Sequence, residues 1–390
     1  MRSIGTLLVT LLFLTGLFLI DPFKPARLAL IAAFRAGPES AKIEKYFEDP
    51  GTQEITHGEN PYSSFCRLSA LWPAQPPARR VYLIGNSQMF SVILAPNEQR
   101  TGSPEKTYPD FLFEQYRRKW GDALRFYRLA VPNISYMEAL WLVHYLLSSP
   151  ELRPSALIVQ VNFETFRKTG IRDGFLDTLR NPAFREAIQQ VAHGPEPYAG
   201  TFEQAIHRYE ERAARRQVSR TGINQSRGFG NTMEQAVRGL LTGVPFLERR
   251  HQLKGSFLDT LYLARVDLLG VKPTTPRSIG GASLKLNQSS LGRIAELCRE
   301  NRIHLALLNA PQNPHAPLYR TRDDKAAYDD LIRSIAGAYN LPLYDFENSI
   351  PAERWGIWID GPDPIHFGRE AHKMMANLVM SSKLIDNVTR

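Results

Sequence analysis

Short apolar runs alternate with stretches of helical periodicity in two parts of the chain. Each run has four to eight residues and is rich in branched or aromatic side chains, as buried parallel strands are. Five runs are predicted as strands, at residues 81–84, 124–131, 156–161, 303–308 and 341–345. Apolar residues at helical spacing predict helices at 109–120, 136–147, 287–298, 323–340 and 368–384. The alternation predicts an α/β fold with a doubly wound, mostly parallel five-stranded sheet.

The N-terminal stretch is uncharged and strongly apolar. Residues 4–20 are interrupted only by Gly and Thr, and these 17 residues reach the short limit for a membrane-spanning helix, which needs roughly 17–25. Arg2 precedes this stretch, and residues 21–25 offer no small-x-small cleavage site, so we predict an uncleaved membrane anchor. The alternative is a buried core helix.

The pattern breaks over residues 178–286, which contain helical pieces but no convincing strand. From Arg180 to Lys254 there are 12 Lys/Arg and 7 Asp/Glu, and this excess of +5 is more than half of the chain's net charge of +9. We predict a helical basic insertion or lid here. The predicted organisation is an anchor at 1–22, a stalk and lead-in at 23–79, an α/β domain at 80–177 and 287–390, and the insertion at 178–286.

One helix of the insertion carries arginines three to four residues apart: Arg208, Arg212, Arg215, Arg216 and Arg220. They form either a solvated face or a docking surface for an anionic polymer, lipid head groups or a protein partner.

Composition excludes several classes of protein. With 43% hydrophobic residues the chain is not disordered, and two cysteines, Cys66 and Cys298, exclude a disulfide scaffold or a cysteine zinc cluster. The sequence does not decide whether these two cysteines form a disulfide with each other. No phosphate-binding glycine loop and no metal-binding His/carboxylate set occurs, so we predict no cofactor and no metal.

Polar residues follow the predicted strands. Ser87 follows the first strand in a turn that begins at Gly85, Asn133 follows the second, Asn162 the third, and residues 360–368 form a polar turn after the last. Ligands of doubly wound folds bind beyond the carboxyl ends of the strands, so these residues are predicted to share one rim.

This rim contains the components of a serine nucleophile. Ser87 is the candidate nucleophile, His366 its base, and Asp363 the group that orients the base. The alternatives are a helix-capping Ser87 and a surface Asp-His pair. Asp360 is a rival orienting group, and His372, in the middle of a helix, is predicted to be structural.

Two asparagines are candidate oxyanion donors. Asn162 can donate its side-chain amide N–H, and Asn133 its backbone or side-chain N–H. For Asn162 the alternative is an Asx-turn that ends a strand.

Gly85-Asn86-Ser87, Asn162 and Asp363-Pro364-Ile365-His366 occur in the order of the motifs of the SGNH (GDSL-like) hydrolase superfamily, and the chain resembles that family over residues 81–170 and 287–380. The resemblance implies an SGNH/flavodoxin-like fold and a Ser-His-Asp esterase or acyltransferase.

The chain departs from the family pattern at three motifs. Asn86 replaces an Asp, Asn133 stands where a Gly is usual, and Gln160 and Phe163 flank Asn162 in place of Gly and Asp. These departures leave a second hypothesis, a catalytically inactive glycan-binding or scaffold protein. A third, a basic nucleic-acid binder, ranks last because no nucleic-acid motif is present.

With its N-terminal anchor the chain is most similar to the membrane-anchored branch of that superfamily, which includes the D-alanyl transfer protein of teichoic acid synthesis and accessory proteins of alginate and cellulose O-acetylation. This similarity implies a single-pass protein with a periplasmic or other extracytoplasmic domain. It also implies an envelope polysaccharide or acylated carrier as substrate, and a multi-spanning membrane-bound O-acyltransferase as partner.

Overall fold

The structure is a computed structural model that describes residues 79–89, 95, 98, 106–131, 134–168, 170–173, 175–224, 281–314, 316, 321–358 and 361–388. Among these residues, no helix is both long and apolar enough to cross a membrane. The predicted anchor, together with Cys66, Asn133 and Asp360, lies outside the described residues.

A five-stranded parallel sheet forms the centre of the fold, as the alternating pattern predicted. Its strands are β1 (Arg79–Gly85), β2 (Leu124–Ala130), β3 (Ala156–Val161), β4 (His304–Asn309) and β5 (Leu343–Asp345). They lie in the order β2-β1-β3-β4-β5, and every neighbouring pair is parallel. The strand order reverses at β1, so a ligand crevice is expected beyond the carboxyl ends of β1 and β3.

Nine described helices surround or extend this sheet. They are α1 (Tyr108–Trp120), α2 (Tyr136–Leu147), α3 (Phe163–Arg167), α4 (Pro182–Ala192), α5 (Ala199–Asn224), α6 (Gly281–Glu300), α7 (Arg322–Ala338), α8 (Arg369–Ser381) and α9 (Leu384–Val388). Short 3₁₀ turns occupy Ser87–Met89, Gly121–Ala123, Phe175–Arg180 and Ala352–Arg354.

Both faces of the sheet are buried, because successive side chains of a strand point to opposite sides. Tyr82 and Ile84 of β1 belong to a core shared with α2, α6 and α7. Val81 and Leu83 belong to a second core, shared with α1 and α8. This double burial explains why the strands read as continuous apolar runs.

The start of α2 has a capping box. Ser135 Oγ accepts a hydrogen bond from the Glu138 backbone N–H at 3.1 Å, and Glu138 Oε2 accepts one from the Ser135 N–H at 3.1 Å. The buried Glu138 carboxylate also accepts from Arg172 Nη2 at 2.6 Å. The cap thereby holds the chain where it leaves the rim after β2.

Of the predicted insertion, the structure describes residues 178–224, which are mainly helical, and residues 281–286, which form the start of α6. Phe184 of α4 and Phe202 of α5 lie in the same core as Trp141 of α2. Arg208 Nη2 donates to the Ile171 carbonyl at 2.8 Å, and Arg212 donates to the Asp173 carbonyl.

These two arginines of the predicted face are therefore bound to their own chain. Arg215 is 80% exposed and lies 3.5 Å from Glu211. The side chains of Arg216 and Arg220 lie outside the described residues.

The segment that carries Asp363 and His366 corrects the sequence prediction. Instead of a polar turn over residues 360–368, strand β6 (Trp355–Trp358) pairs antiparallel with β7 (Gly361–Phe367). Two prolines in β7 argued against a strand, but in a two-stranded hairpin both strands are edges, where proline is tolerated.

The last predicted helix, 368–384, is two helices. α8 ends at Ser381 and α9 begins at Leu384. Between them Lys383 takes a left-handed φ of 57°, a conformation that interrupts a helix.

Candidate active site

Ser87 lies in a tight turn directly beyond β1. Asn86 builds this turn: its Oδ1 accepts the Gln88 backbone N–H at 3.0 Å, and its carbonyl accepts the Met89 N–H at 3.1 Å. A Cβ added to Gly85 would clash with Met89 Cε and Gln160 Oε1, so the ends of both side chains would have to move to admit a larger residue. The departure at Asn86 thus keeps a side-chain oxygen where the turn needs one.

Ser87 and His366 meet although they are 279 residues apart in the chain. His366 Nε2 lies 2.8 Å from Ser87 Oγ, and His366 Nδ1 lies 3.1 Å from Asp363 Oδ2. With the proton on Nδ1 donated to Asp363, Nε2 is free to accept the Ser87 proton. This is the geometry of a serine nucleophile, its base and the group that orients the base.

The Asp363 carboxylate is held from several sides. It is 1% exposed, and its Oδ1 accepts the backbone N–H groups of Ile365 and His366, each at 2.7 Å. The Asp363 carbonyl accepts Asn313 Nδ2 at 3.0 Å. Backbone donors of this kind fix the position of the carboxylate against the imidazole.

Asn162 takes part in two arrangements through its two side-chain ends. Its Oδ1 accepts the Thr165 backbone N–H at 2.8 Å and caps α3, as the Asx-turn alternative expected. Its Nδ2 is buried and bonds to no other atom of the described residues. An unpaired buried donor at the end of β3 is suited to a developing negative charge. The other predicted donor, Asn133, lies outside the described residues.

His372 lies away from this chemistry. It is buried in α8, where its Nδ1 accepts the Tyr108 backbone N–H at 3.1 Å and its ring packs against Phe367. This environment matches the structural role that its mid-helix position predicted.

Several supporting residues were not identified from the sequence. Met89, at the end of the Ser87 turn, has its carbonyl bound by Arg128 Nη1 at 2.9 Å and by Thr107 Oγ1 at 2.7 Å. Glu98 accepts the Arg369 and Glu370 N–H groups, each at 2.9 Å, and caps α8 directly after strand β7, which carries His366. Arg128 had one detectable signal, a charge inside an otherwise buried strand.

The site contains further polar side chains but no metal cluster. Gln88 and Gln160 are buried beside the Ser87 turn, and Gln160 was detectable as the polar residue of an apolar strand. In the described part of the chain, no group of three or more His, Cys, Asp or Glu side chains is arranged to hold a metal ion. Cys298 is a buried free thiol whose pKa burial raises to about 12.

Comparison with known proteins gives only distant structural similarity. No protein-family model and no curated protein matches the chain. The structure is similar to a lipase/acylhydrolase from Enterococcus faecalis, with 11% identity, a TM-score of 0.36, and 78% of this chain and 95% of that one covered.

Two other solved structures stand at the same distance. A GDSL-like lipase from Bacteroides thetaiotaomicron has 10% identity, a TM-score of 0.36, and 83% and 97% covered. A psychrotrophic esterase from Pseudoalteromonas sp. has 10% identity, a TM-score of 0.36, and 79% and 99% covered. At these values the neighbours say nothing about the chemistry of this chain, for which the site's own geometry is the guide.

Proposed function

We propose that the protein is a serine acylesterase or O-acyltransferase in which Ser87 is the nucleophile. One observation carries the proposal: Ser87 Oγ, the His366 ring and the Asp363 carboxylate form a continuous line of contacts at 2.8 and 3.1 Å. Serine is a weak nucleophile until a neighbouring base takes its proton, and this line supplies that base.

In the acylation step, these side chains can carry out every proton transfer that is needed. Ser87 Oγ attacks the acyl carbonyl carbon while its proton moves to His366 Nε2, and the carbonyl oxygen becomes an oxyanion. Asn162 Nδ2 and the backbone N–H of Ser87 are the donors proposed for that oxyanion. The tetrahedral centre collapses, its bond to the alcohol oxygen breaks, and the alcohol leaves with the proton from His366.

Deacylation repeats these steps with a second nucleophile. Water or a glycan hydroxyl gives its proton to His366 Nε2 and attacks the acyl-serine carbonyl, and Ser87 Oγ leaves and recovers the proton. Water makes the protein an esterase, and a hydroxyl makes it an acyltransferase. Throughout, Asp363 stabilises the imidazolium by accepting from Nδ1.

A serine-directed probe and a small ester test this function on the full chain in detergent. We expect a fluorophosphonate to label the wild type and p-nitrophenyl acetate to be hydrolysed, with both activities absent in Ser87→Ala. His366→Ala should lose at least ~10³-fold in turnover. The matched controls are Ser289→Ala and His207→Ala, which change exposed residues and should behave like the wild type. Equal labelling of the wild type and Ser87→Ala would refute the proposal.

The same experiment decides the alternative, an inactive glycan-binding or scaffold protein. The replacements at Asn86 and Gln160 motivated that reading, but both side chains make hydrogen bonds that support the Ser87 turn. A wild type without probe labelling, but with retained binding to an envelope polysaccharide, would favour the scaffold.

We further propose that the acyl group moves between an acylated carrier and an envelope polysaccharide, beside a multi-spanning O-acyltransferase and at the membrane. The support is the apolar stretch at residues 4–20 together with the motif order. The tests are sedimentation with membranes, protease access from the extracytoplasmic side, and the acyl content of the polymer when Ser87→Ala replaces the wild type. Normal polymer acylation in that strain would refute the assignment.

A further inference from the structure

The side chain of Gln88 connects the turn of Ser87 to strand β7, which carries His366. Gln88 follows Ser87 directly and is 1% exposed. Its Nε2 donates to the Ile365 carbonyl at 2.6 Å and to the Pro311 carbonyl at 2.7 Å. Since Ile365 immediately precedes His366, one amide group links the neighbours of both reacting residues.

A second buried amide, Gln160 on β3, fixes the orientation of the first. Gln160 Nε2 donates to Gln88 Oε1 at 2.7 Å, and Gln160 Oε1 accepts the Asn86 backbone N–H at 3.2 Å. Because the Gln88 oxygen is occupied by this bond, its NH₂ must face the two carbonyls. The pair of amides therefore has one consistent arrangement.

We propose that Gln88 and Gln160 are positioning residues that keep Ser87 within hydrogen-bond distance of His366. This inference rests on the proposed function. Ser87 and His366 lie on segments that are remote in sequence, so tertiary contacts set the distance between them. Gln88 joins these segments, and Gln160 anchors Gln88 and Asn86 to the central sheet. A misplacement of about 1 Å in such a site can lower the rate by roughly 100-fold.

The test removes the amides while keeping side-chain shape. For Gln88→Met we expect kcat for p-nitrophenyl acetate to fall by roughly 10- to 100-fold, with KM within about twofold of the wild type. For Gln160→Met we expect a smaller decrease in kcat. The double variant should be no slower than Gln88→Met alone, because the two side chains act through one network.

The matched control is Gln115→Met, whose amide bonds to Asn377 at 3.3 Å on the surface, and its kcat should not change. Thermal unfolding of each variant gives the temperatures at which it is folded and can be assayed. If Gln88→Met is unfolded there, Gln160→Met, which leaves both Gln88 donors in place, decides the question.

A crystal structure of the variant gives a measure that does not depend on turnover. We expect the distance from Ser87 Oγ to His366 Nε2 to lengthen beyond hydrogen bonding in Gln88→Met. An unchanged kcat, or an unchanged 2.8 Å distance, would overturn the positioning role. Absence of serine-dependent turnover in the wild type would instead refute the proposed function, and the crystallographic distance would still decide whether the amides position Ser87.

Discussion

The side-chain oxygen of Asn162 accepts hydrogen bonds from both the backbone N–H and the hydroxyl of Thr165, each at 2.8 Å. These two bonds fix the orientation of the Asn162 amide, because an NH₂ group in the oxygen's place could not accept from the backbone. The Nδ2 donor is thereby held on the opposite side, buried and unpaired within the described structure. Asn162 thus serves the fold through its oxygen, while its nitrogen has no hydrogen-bond partner within the described structure.

The first prediction tests the nitrogen of the Asn162 amide independently of its oxygen. Asn162→Asp keeps an oxygen for Thr165 and removes the donor, so the cap of α3 should be retained, and the buried carboxylate should lower the stability of the protein without unfolding it. If Nδ2 binds the oxyanion, kcat should fall by about 10²- to 10³-fold. Ester hydrolysis and thermal unfolding of the same preparation measure both quantities.

The matched control for this variant is Thr165→Val, which removes the hydroxyl partner but not the amide donor. It should lower stability slightly and leave kcat within a few-fold of the wild type. Wild-type turnover in Asn162→Asp would exclude the side chain as an oxyanion donor.

The second prediction concerns the orienting role of Asp363. In Asp363→Asn the remaining oxygen still accepts the two backbone N–H groups of the loop, so the fold should be retained. The new amide N–H would face His366 Nδ1 and favour the tautomer with its proton on Nε2, which cannot accept the Ser87 proton. We expect kcat/KM for an ester to fall by roughly 10³- to 10⁴-fold.

Asp386→Asn is the control for this change, since that carboxylate lies in α9 and pairs with Lys119 at 2.8 Å on the surface, outside the contacts that join Ser87, His366 and Asp363. It should keep full activity. If Asp363→Asn turned over ester within about tenfold of the wild type, Asp363 would not be the orienting group.

The third prediction concerns the turn that presents Ser87. Gly85→Ala places a methyl group into contact with Met89 and Gln160, and overpacking of a tight core costs about 1–3 kcal/mol of unfolding free energy. Gly337→Ala is its control, because a methyl group there meets nothing within 4 Å. Gly337 is the penultimate residue of α7, so that change should raise stability by less than the roughly 0.5–1 kcal/mol expected in the middle of a helix. Denaturant unfolding measures both, and equal effects of the two variants would contradict the packing argument.

Much of the fold could be predicted because its signals are local. The central strands β1 and β3 and most of β4 are apolar runs that are buried on both faces, and the Ser135 capping box is visible in four consecutive residues. The residues brought together at the site, Ser87, Asp363 and His366, could also be selected, because parallel strands end at a common rim.

The remaining features depend on contacts that are distant in sequence. The prolines of β7 are unfavourable for a strand, and only its pairing with β6 makes the hairpin. Gln160 could be recognised as a polar residue in a buried strand, but its partner, Gln88, lies 72 residues earlier. The contact of Glu98 with the start of α8 spans 271 residues. No local pattern encodes such pairings.

A buried charge cluster supplies the basis for a pH-dependent prediction. Arg293 Nε of α6 donates to Glu196 at 3.1 Å, and His144 of α2 lies 3.5 Å from the same carboxylate. Arg293 also bonds to Glu296 and Glu300. Burial alone would raise the pKa of Glu196, but the hydrogen bonds and charges of His144 and Arg293 outweigh it and lower this pKa below its usual value.

The last prediction follows from the sign of that shift. A carboxyl whose pKa is lower in the folded than in the unfolded state stabilises the fold at pH above its unfolded pKa, about 4.3 for Glu. The contribution is lost as the pH falls through the folded pKa. Glu196→Gln should therefore lower the free energy of unfolding by about 1–3 kcal/mol at pH 7. Its stability should also fall less steeply than that of the wild type below about pH 4.3.

The control is Glu211→Gln, whose exposed pair with Arg215 should contribute less than about 1 kcal/mol. Urea unfolding as a function of pH measures both variants. If the free energy of unfolding fell equally steeply with decreasing pH in Glu196→Gln and in the wild type, this cluster would not set the acid stability of the fold.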